Sequence, residues 1–243
     1  MAGHLPWYLV NQTDGSELVL MPGGWFRMGA VDRDEEAEDR EMPGHLHYVA
    51  PFYMGITCVT VARFRRFVLE TAHEAGQGWE KDPDGYPVRD VSWYDAVVYC
   101  RWAGLRLPTE PEWEYCARGY TGLIYPWGDD WEDGRRVCRR RQQGPNGNAA
   151  PVYAHPGGAS PMGTFQQSGN LWEWCADGYD SDAYKRYAEG GASRSEDSGG
   201  RVLRGGSWYD DDLAVFRAGY RDYNYPNLRS NFNGFRPAGT VVF

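Results

Sequence analysis

The chain has 243 residues, 42% of them hydrophobic, and a formal net charge of −9. That length is enough to bury a sizeable core. The acidic balance argues against nucleic acid as the main partner, because phosphate binding needs clustered lysine and arginine.

In chain order, the apolar runs Leu18–Met21 and Trp25–Met28 flank Pro22-Gly23-Gly24, and the pattern predicts a hairpin over Glu17–Met28. Asp32–Glu41 reads as a solvated acidic loop. Tyr48–Thr60 is strand-prone, and His45-x-His47 falls on a strand as packing or surface residues. Phe64, Phe67 and Val68 recur at helical spacing, which predicts a helix over Val61–His73. Ser92, with Asp95 three residues on, caps a second helix that runs to Trp102. Thr109 with Glu112 caps a third that runs to about Arg118. Beyond Gly119 the chain is punctuated by Gly, Pro, Asn and Asp, which predicts long loops and short strands without regular helix. The class is α+β with a loop-rich second half. The 31 Gly beside 11 Trp and 17 Tyr fit irregular backbone pinned by large side chains.

The five cysteines, Cys58, Cys100, Cys116, Cys138 and Cys175, are widely spaced without a C-x-x-C pair, as expected of buried thiols in a reducing compartment. Met1–Gln12 lacks the basic-then-apolar pattern of a signal peptide, and no stretch is apolar enough for a membrane span. A cytoplasmic or phage-associated location is expected. The basic run Arg135–Arg141, five arginines around Cys138, reads as a solvated loop.

Eight segments occur in an order that resembles the formylglycine-generating-enzyme (sulfatase-modifying factor) family. They are Asp14–Met28 with its Met-Pro-Gly-Gly-x-Phe-x-Met-Gly stretch, Tyr53–Phe67, Val91–Trp102, Leu105-Arg-Leu-Pro-Thr-Glu-Pro-Glu-Trp-Glu-Tyr115, Tyr125-Pro-Trp-Gly-Asp129, Gly169-Asn-Leu-Trp-Glu-Trp174, Arg204-Gly-Gly-Ser-Trp208 and Gly234-Phe-Arg236. The resemblance implies one C-type-lectin-like domain over residues 1–243. Read physically, Trp93, Trp113, Trp172, Trp174 and Trp208 would anchor loops on the core, and Arg106 and Arg236 would be buried, holding carboxylates or carbonyls.

Active members of that family carry a cysteine pair just after Arg-Gly-Gly-Ser-x, which binds copper; a soft thiolate pair suits Cu(I). Here Arg204–Arg221 contains no cysteine, so the resemblance implies a chain without that activity. Relatives in ergothioneine synthesis carry an iron domain with histidines at helical spacing, a pattern missing from these residues. Family members also bind calcium near Gly-Asn-x-Trp-Glu-Trp, through backbone carbonyls and the Glu, which maps to Asn170, Leu171 and Glu173, although Gln166 stands where an Asn is usual. No cofactor is required on this reading; a structural calcium is the one ion it allows.

The 25 residues Tyr209–Asn233 hold four Tyr, two Phe, four Asn, four Asp and three Arg, but no Lys, Glu, Gln, Met or Trp. Substituting the adenines of an AAC or AAT codon yields Tyr, Phe, Asp, Asn, Ser, Leu, Val, Ala, Gly and Arg, and never those five. The segment is similar to the variable proteins of diversity-generating retroelements, in which the C-terminal part of a lectin-like domain is rewritten from an asparagine-rich template. Arg204–Trp208, Arg217, Arg221, Pro226, Arg229 and Gly234–Arg236 would then be constant framework. Tyr209, Asp211, Tyr220, Tyr223, Tyr225, Leu228, Ser230 and Phe232 would be exposed, varied, ligand-binding positions. Tyr contributes large rigid contacts and Asn and Ser adaptable hydrogen bonds, as in antibody loops. The expected partner is a protein or cell-surface ligand. The alternatives are an oxidase using another site and a degenerate accessory protein, for which this stretch is an ordinary loop.

Overall fold

The computed structural model of the protein describes residues 5–132, 149–191 and 199–241; Cys138 and the arginine run around it lie outside these. Ten strands and four α-helices alternate with long connections among the described residues: β1 (Tyr8–Val10), β2 (Glu17–Met21), β3 (Gly24–Met28), β4 (His45–Val49), β5 (Phe52–Gly55), α1 (Val61–Thr71), α2 (Trp93–Trp102), α3 (Glu110–Arg118), β6 (Trp172–Gly178), α4 (Ala183–Ala188), β7 (Arg201–Arg204), β8 (Asp222–Asn224), β9 (Asn233–Gly234) and β10 (Ala238–Thr240).

Helices α2 and α3 form where the capping signals place them, and α1 where the apolar spacing does. The Thr60 hydroxyl accepts from the Arg63 amide, and Ser92/Asp95 and Thr109/Glu112 each close a reciprocal capping box. Every residue of α3 is buried, so it packs inside the molecule rather than on its surface. A short helix, α4, also forms in the second half, where none was predicted. It has six residues and buries Tyr184 and Tyr187, too few turns to leave a periodic signal.

One four-stranded sheet has the order β1-β2-β5-β10 and another β8-β7-β6-β9, while β3 and β4 pair alone. The predicted hairpin over Glu17–Met28 is therefore not formed: its two strands exist but belong to different sheets. Both edges of β2 are taken, by β1 and β5, so β3 pairs with β4 instead; at the turn Gly23 has φ +72°, and a Cβ there would stand 2.5 Å from the Val49 carbonyl oxygen. The chain passes tightly against Val49–Pro51 and turns away from β2 instead of folding back on it. In the second sheet β6 pairs antiparallel with β7 and parallel with β9, which brings the two ends of the stretch between Arg204 and Asn233 to the same strand.

The core is aromatic. Trp113 and Trp174 are fully buried and Trp172 and Trp208 nearly so, as expected of loop anchors. Their indole N–H groups reach fixed acceptors: Trp113 donates to Glu173, Trp174 to the Val91 carbonyl, Trp208 to the Asn231 carbonyl, and half-buried Trp93 to the Cys175 carbonyl. The stretch Asp32–Glu41 departs from its expectation. Asp34 and Glu41 are buried, drawn inward by an arginine from the C-terminal segment.

Candidate ligand-binding face

Four arginines of the C-terminal segment point inward, and each meets carboxylates from elsewhere in the chain. Arg204 bridges Glu110 (2.8 Å) and Glu114 (2.7 Å), and also donates to the Tyr184 hydroxyl and the Ala218 carbonyl. Arg221 takes Glu110 in a bidentate pair at 2.6 and 2.8 Å. Arg217 does the same with Glu41 at 2.7 and 2.8 Å and adds Asp34 at 2.8 Å. Arg236 grips Glu173 at 2.5 and 2.6 Å. All four are at most 1% exposed. Planar guanidinium–carboxylate forks of this kind fix direction as well as charge. Burial alone would raise the Glu114 pKa, but the guanidiniums of Arg204 and Arg118 outweigh it and hold the carboxyl at about 2.

Main-chain bonds complete the anchoring. The Trp93 amide donates to the Pro226 carbonyl, Asp90 to Ser230, Ala218 to Ile124, and Trp208 to Asn170. These bonds do not depend on which side chains the segment carries. Gly205 and Gly206 are held at φ +100° and +70°, and a Cβ on Gly206 would meet the Phe216 ring at 2.8 Å, so no larger residue fits there. Arg229 is the framework arginine that stays partly exposed; it pairs with Asp95 and donates to the Ala75 carbonyl. Arg106 also departs from its expectation: it forks onto Glu112 while about a third of its side chain remains in solvent.

The side chains between these anchors divide into two groups. Tyr209, Asp211, Tyr223, Tyr225 and Leu228 are exposed. Tyr220, Ser230 and Phe232 are half-buried, which corrects the expectation of full exposure. The Tyr220 ring lies under the Arg40 guanidinium at 4.6 Å, and Phe232 packs on the main core while stacking on Tyr209 at 6.1 Å. Tyr225→Ala is therefore expected to change stability by about 0.5 kcal/mol or less. Phe232→Ala should cost about 1–2 kcal/mol, below the 3–5 kcal/mol of a fully buried ring. Urea denaturation of the two variants checks the contrast; equal losses would show that Tyr225 is packed too.

Two residues outside the segment lie at or beside the face without any hint in the sequence. Tyr179 stacks on Tyr223 with ring centroids 4.4 Å apart. Tyr94 is exposed on the first turn of α2, next to the Trp93 amide that binds Pro226. Both are distant in sequence from the segment, so only the fold brings them to it.

The carboxylate proposed for calcium is already paired in this arrangement. Both oxygens of Glu173 accept from Arg236, and they also accept from Trp113 and the Cys58 thiol. The same guanidinium takes the carbonyl oxygens of Gly55, Ile56 and Phe165. A cation thus already fills the oxygen-rich pocket beside Glu173. Of the two backbone carbonyls, that of Asn170 accepts from the Trp208 amide, while its side-chain amide bonds Gln166 and the Ala150 main chain. Leu171 is buried in a small cluster with Ala149, Ala150 and Trp208.

The described cysteines, Cys58, Cys100, Cys116 and Cys175, are all buried and unbridged. Burial pushes each thiol up from its ordinary value, the opposite of the thiolate that copper or nucleophilic chemistry needs. Among the described residues no group of three or more His, Cys, Asp or Glu could hold a metal ion. None of their helices is long and apolar enough to cross a membrane.

Comparison with known proteins places this architecture. Residues 9–241 match the model of the sulfatase-modifying factor enzyme 1-like domain. The formylglycine-generating enzyme of Streptomyces coelicolor is 34% identical, over 90% of this chain and 88% of its own. PvdO from Pseudomonas aeruginosa shares the fold with a TM-score of 0.84 at 22% identity, covering 98% of this chain and all of that one. Treponema denticola variable protein 1 shares it with a TM-score of 0.74 at 19% identity, covering 97% and 99% of the two chains. The loop-rich mixture of strands and helices is thus the C-type-lectin-like fold of these proteins. The chain belongs to the sulfatase-modifying factor enzyme 1-like domain family.

Proposed function

We propose that this protein is a non-catalytic binding protein whose segment 204–236 is diversified by a retroelement and recognises a protein or cell-surface ligand. The observation that carries the reading is the division of that segment into two classes. Apart from Arg229, its arginine, glycine and tryptophan framework is buried and tied to carboxylates and main-chain groups outside the segment. Five of the eight positions expected to vary project into solvent on a backbone that does not depend on their identity. A backbone held this way is preorganised, which lowers the ordering cost of binding, and exposed tyrosines are common contributors to binding energy. The fold shared with a protein titled variable protein 1 agrees with this reading.

A second reading, an oxidase or accessory protein of the family, is favoured by the 34% identity to a formylglycine-generating enzyme. Its difficulty is the lack of any cysteine after Arg204-Gly-Gly-Ser207.

Sequencing the gene's neighbourhood separates the two. The expected result is a second copy of the region encoding 204–236, differing from the gene almost only at adenines, with a reverse transcriptase nearby. A neighbourhood without such a copy overturns the diversification reading. Stoichiometric copper or iron in the purified protein, or thiol-dependent oxygen consumption, overturns the non-catalytic one.

A further inference from the structure

We infer that the partner of this face presents arginine or lysine side chains, which would lie across exposed tyrosine rings between aspartates. The inference rests on the binding reading above and names the chemistry of the partner.

Two properties of the face lead to it. The first is aromatic: Tyr223 and Tyr225 are exposed, Tyr223 is braced by Tyr179, and Tyr94 stands nearby on α2. Ring faces of this kind attract cations, guanidinium more often than ammonium. The second is charge. The segment contributes Asp210, Asp211, Asp212 and Asp222, all at least partly open to solvent. Of these, Asp212 caps the Ala214 amide and Asp222 accepts from the Tyr223 amide. Asp210 accepts from the Ser207 amide and hydroxyl. These three hydrogen bonds come from neutral groups, while the Arg40 guanidinium also acts on Asp222 through its charge.

Five basic groups around the face are paired with acids, and a sixth, Arg201 opposite Asn224, lies over the Trp93 ring and donates to the Ala176 carbonyl. Arg217, Arg221 and Arg229 are engaged by Glu41 and Asp34, by Glu110, and by Asp95. At the rim Arg40 pairs with Glu38, and Arg89 pairs with Asp82. Among the described residues the segment therefore offers carboxylates and rings without adding an uncompensated cation. Partial burial raises the pKa of Asp210 and of Asp222, a cost that an arriving cation would relieve. Complementary charge of this kind mainly sets partner choice and association rate.

The test is selection of a random 12-residue peptide phage library on the immobilised full-length protein. Selected peptides are expected to be rich in Arg and Lys. Their affinity should fall at least tenfold in a variant carrying Tyr225→Ala, Asp212→Asn and Asp222→Asn. It should stay within twofold in a control carrying Asp32→Asn, Glu35→Gln and Glu36→Gln, three exposed acids of another loop. Equal loss in both variants would reduce the effect to overall acidity and sink the inference. Neutral or acidic peptides that still need Tyr225 would overturn the partner class and leave the binding face standing. If no peptide depends on the face, the binding reading fails as well.

Discussion

Arg204→Ala is expected to lower unfolding stability by about 3–5 kcal/mol, a large share of the total for an ordinary domain. Arg204 is fully buried between Glu110 and Glu114, themselves at most 1% exposed. Removing the guanidinium leaves two buried carboxylates short of a cation, and Arg221 and Arg118 then serve them alone. The urea midpoint, with an unchanged slope, reports the loss. A cost below about 1 kcal/mol would mean that water reaches the carboxylates.

The same network sets the acid limit. The folded pKa of Glu114 is depressed, from an ordinary 4.5 to about 2. Its contribution is therefore complete above the unfolded value and is lost as the pH falls from about 4.5 towards 2. Without Arg204 the folded value rises, and acid unfolding should begin at higher pH than in the wild type. Unfolding followed by tryptophan fluorescence against pH distinguishes the two curves; coincident curves would remove Arg204 as the cause.

Asn233→Leu should raise stability by about 1–3 kcal/mol. Asn233 is fully buried, and neither its amide nitrogen nor its amide oxygen has a hydrogen-bond partner among the described residues. It lies on β9, paired with Trp172 of β6. Leucine has nearly the same branched shape and no polar atom to desolvate, so the buried penalty disappears with little change in volume. A rise in melting temperature without a change in fold is the expected observation. A fall would show that a buried water serves the amide in solution. A polar residue in this position is understandable if the codon for residue 233 lies within the rewritten stretch, because the process that supplies exposed asparagines does not distinguish a buried site.

Local signals were the part of the fold that the sequence made legible. The caps at Ser92 and Thr109 are nearest-neighbour chemistry, and α2 and α3 start where they stand. Strands β2 and β3 were also visible as apolar runs, but their partners were not. Whether Pro22-Gly23-Gly24 closes a hairpin or sends the chain to another sheet depends on β5, which takes the second edge of β2, and on β4, which pairs with β3; both are distant in sequence. The same limit explains Asp34 and Glu41, which look like surface acids until Arg217 is known to reach them. At the candidate face, exposure followed from the composition of Tyr209–Asn233 for Tyr209, Asp211, Tyr223, Tyr225 and Leu228. It failed for Ser230 and for Tyr220 and Phe232, the last two packed against Arg40, Trp172 and the main core.

The arginine clamp has a consequence for heredity. Arginine, glycine, tryptophan, proline, phenylalanine and serine can each be spelled with no adenine in the codon, as CGN, GGN, TGG, CCN, TTY and TCN with a suitable third base. Those six types make up the whole framework from Arg204 to Trp208, at Arg217, Arg221, Pro226 and Arg229, and from Gly234 to Arg236. Lysine would hold the same carboxylates as a point charge, but both of its codons begin with two adenines. An information-copying process that errs only at adenine would erase a lysine clamp within a few rounds and pass over an arginine one. The gene is therefore expected to use CGN rather than AGR at 204, 217, 221, 229 and 236. Protection of the fold would then reside in the nucleic acid, before any selection on the protein.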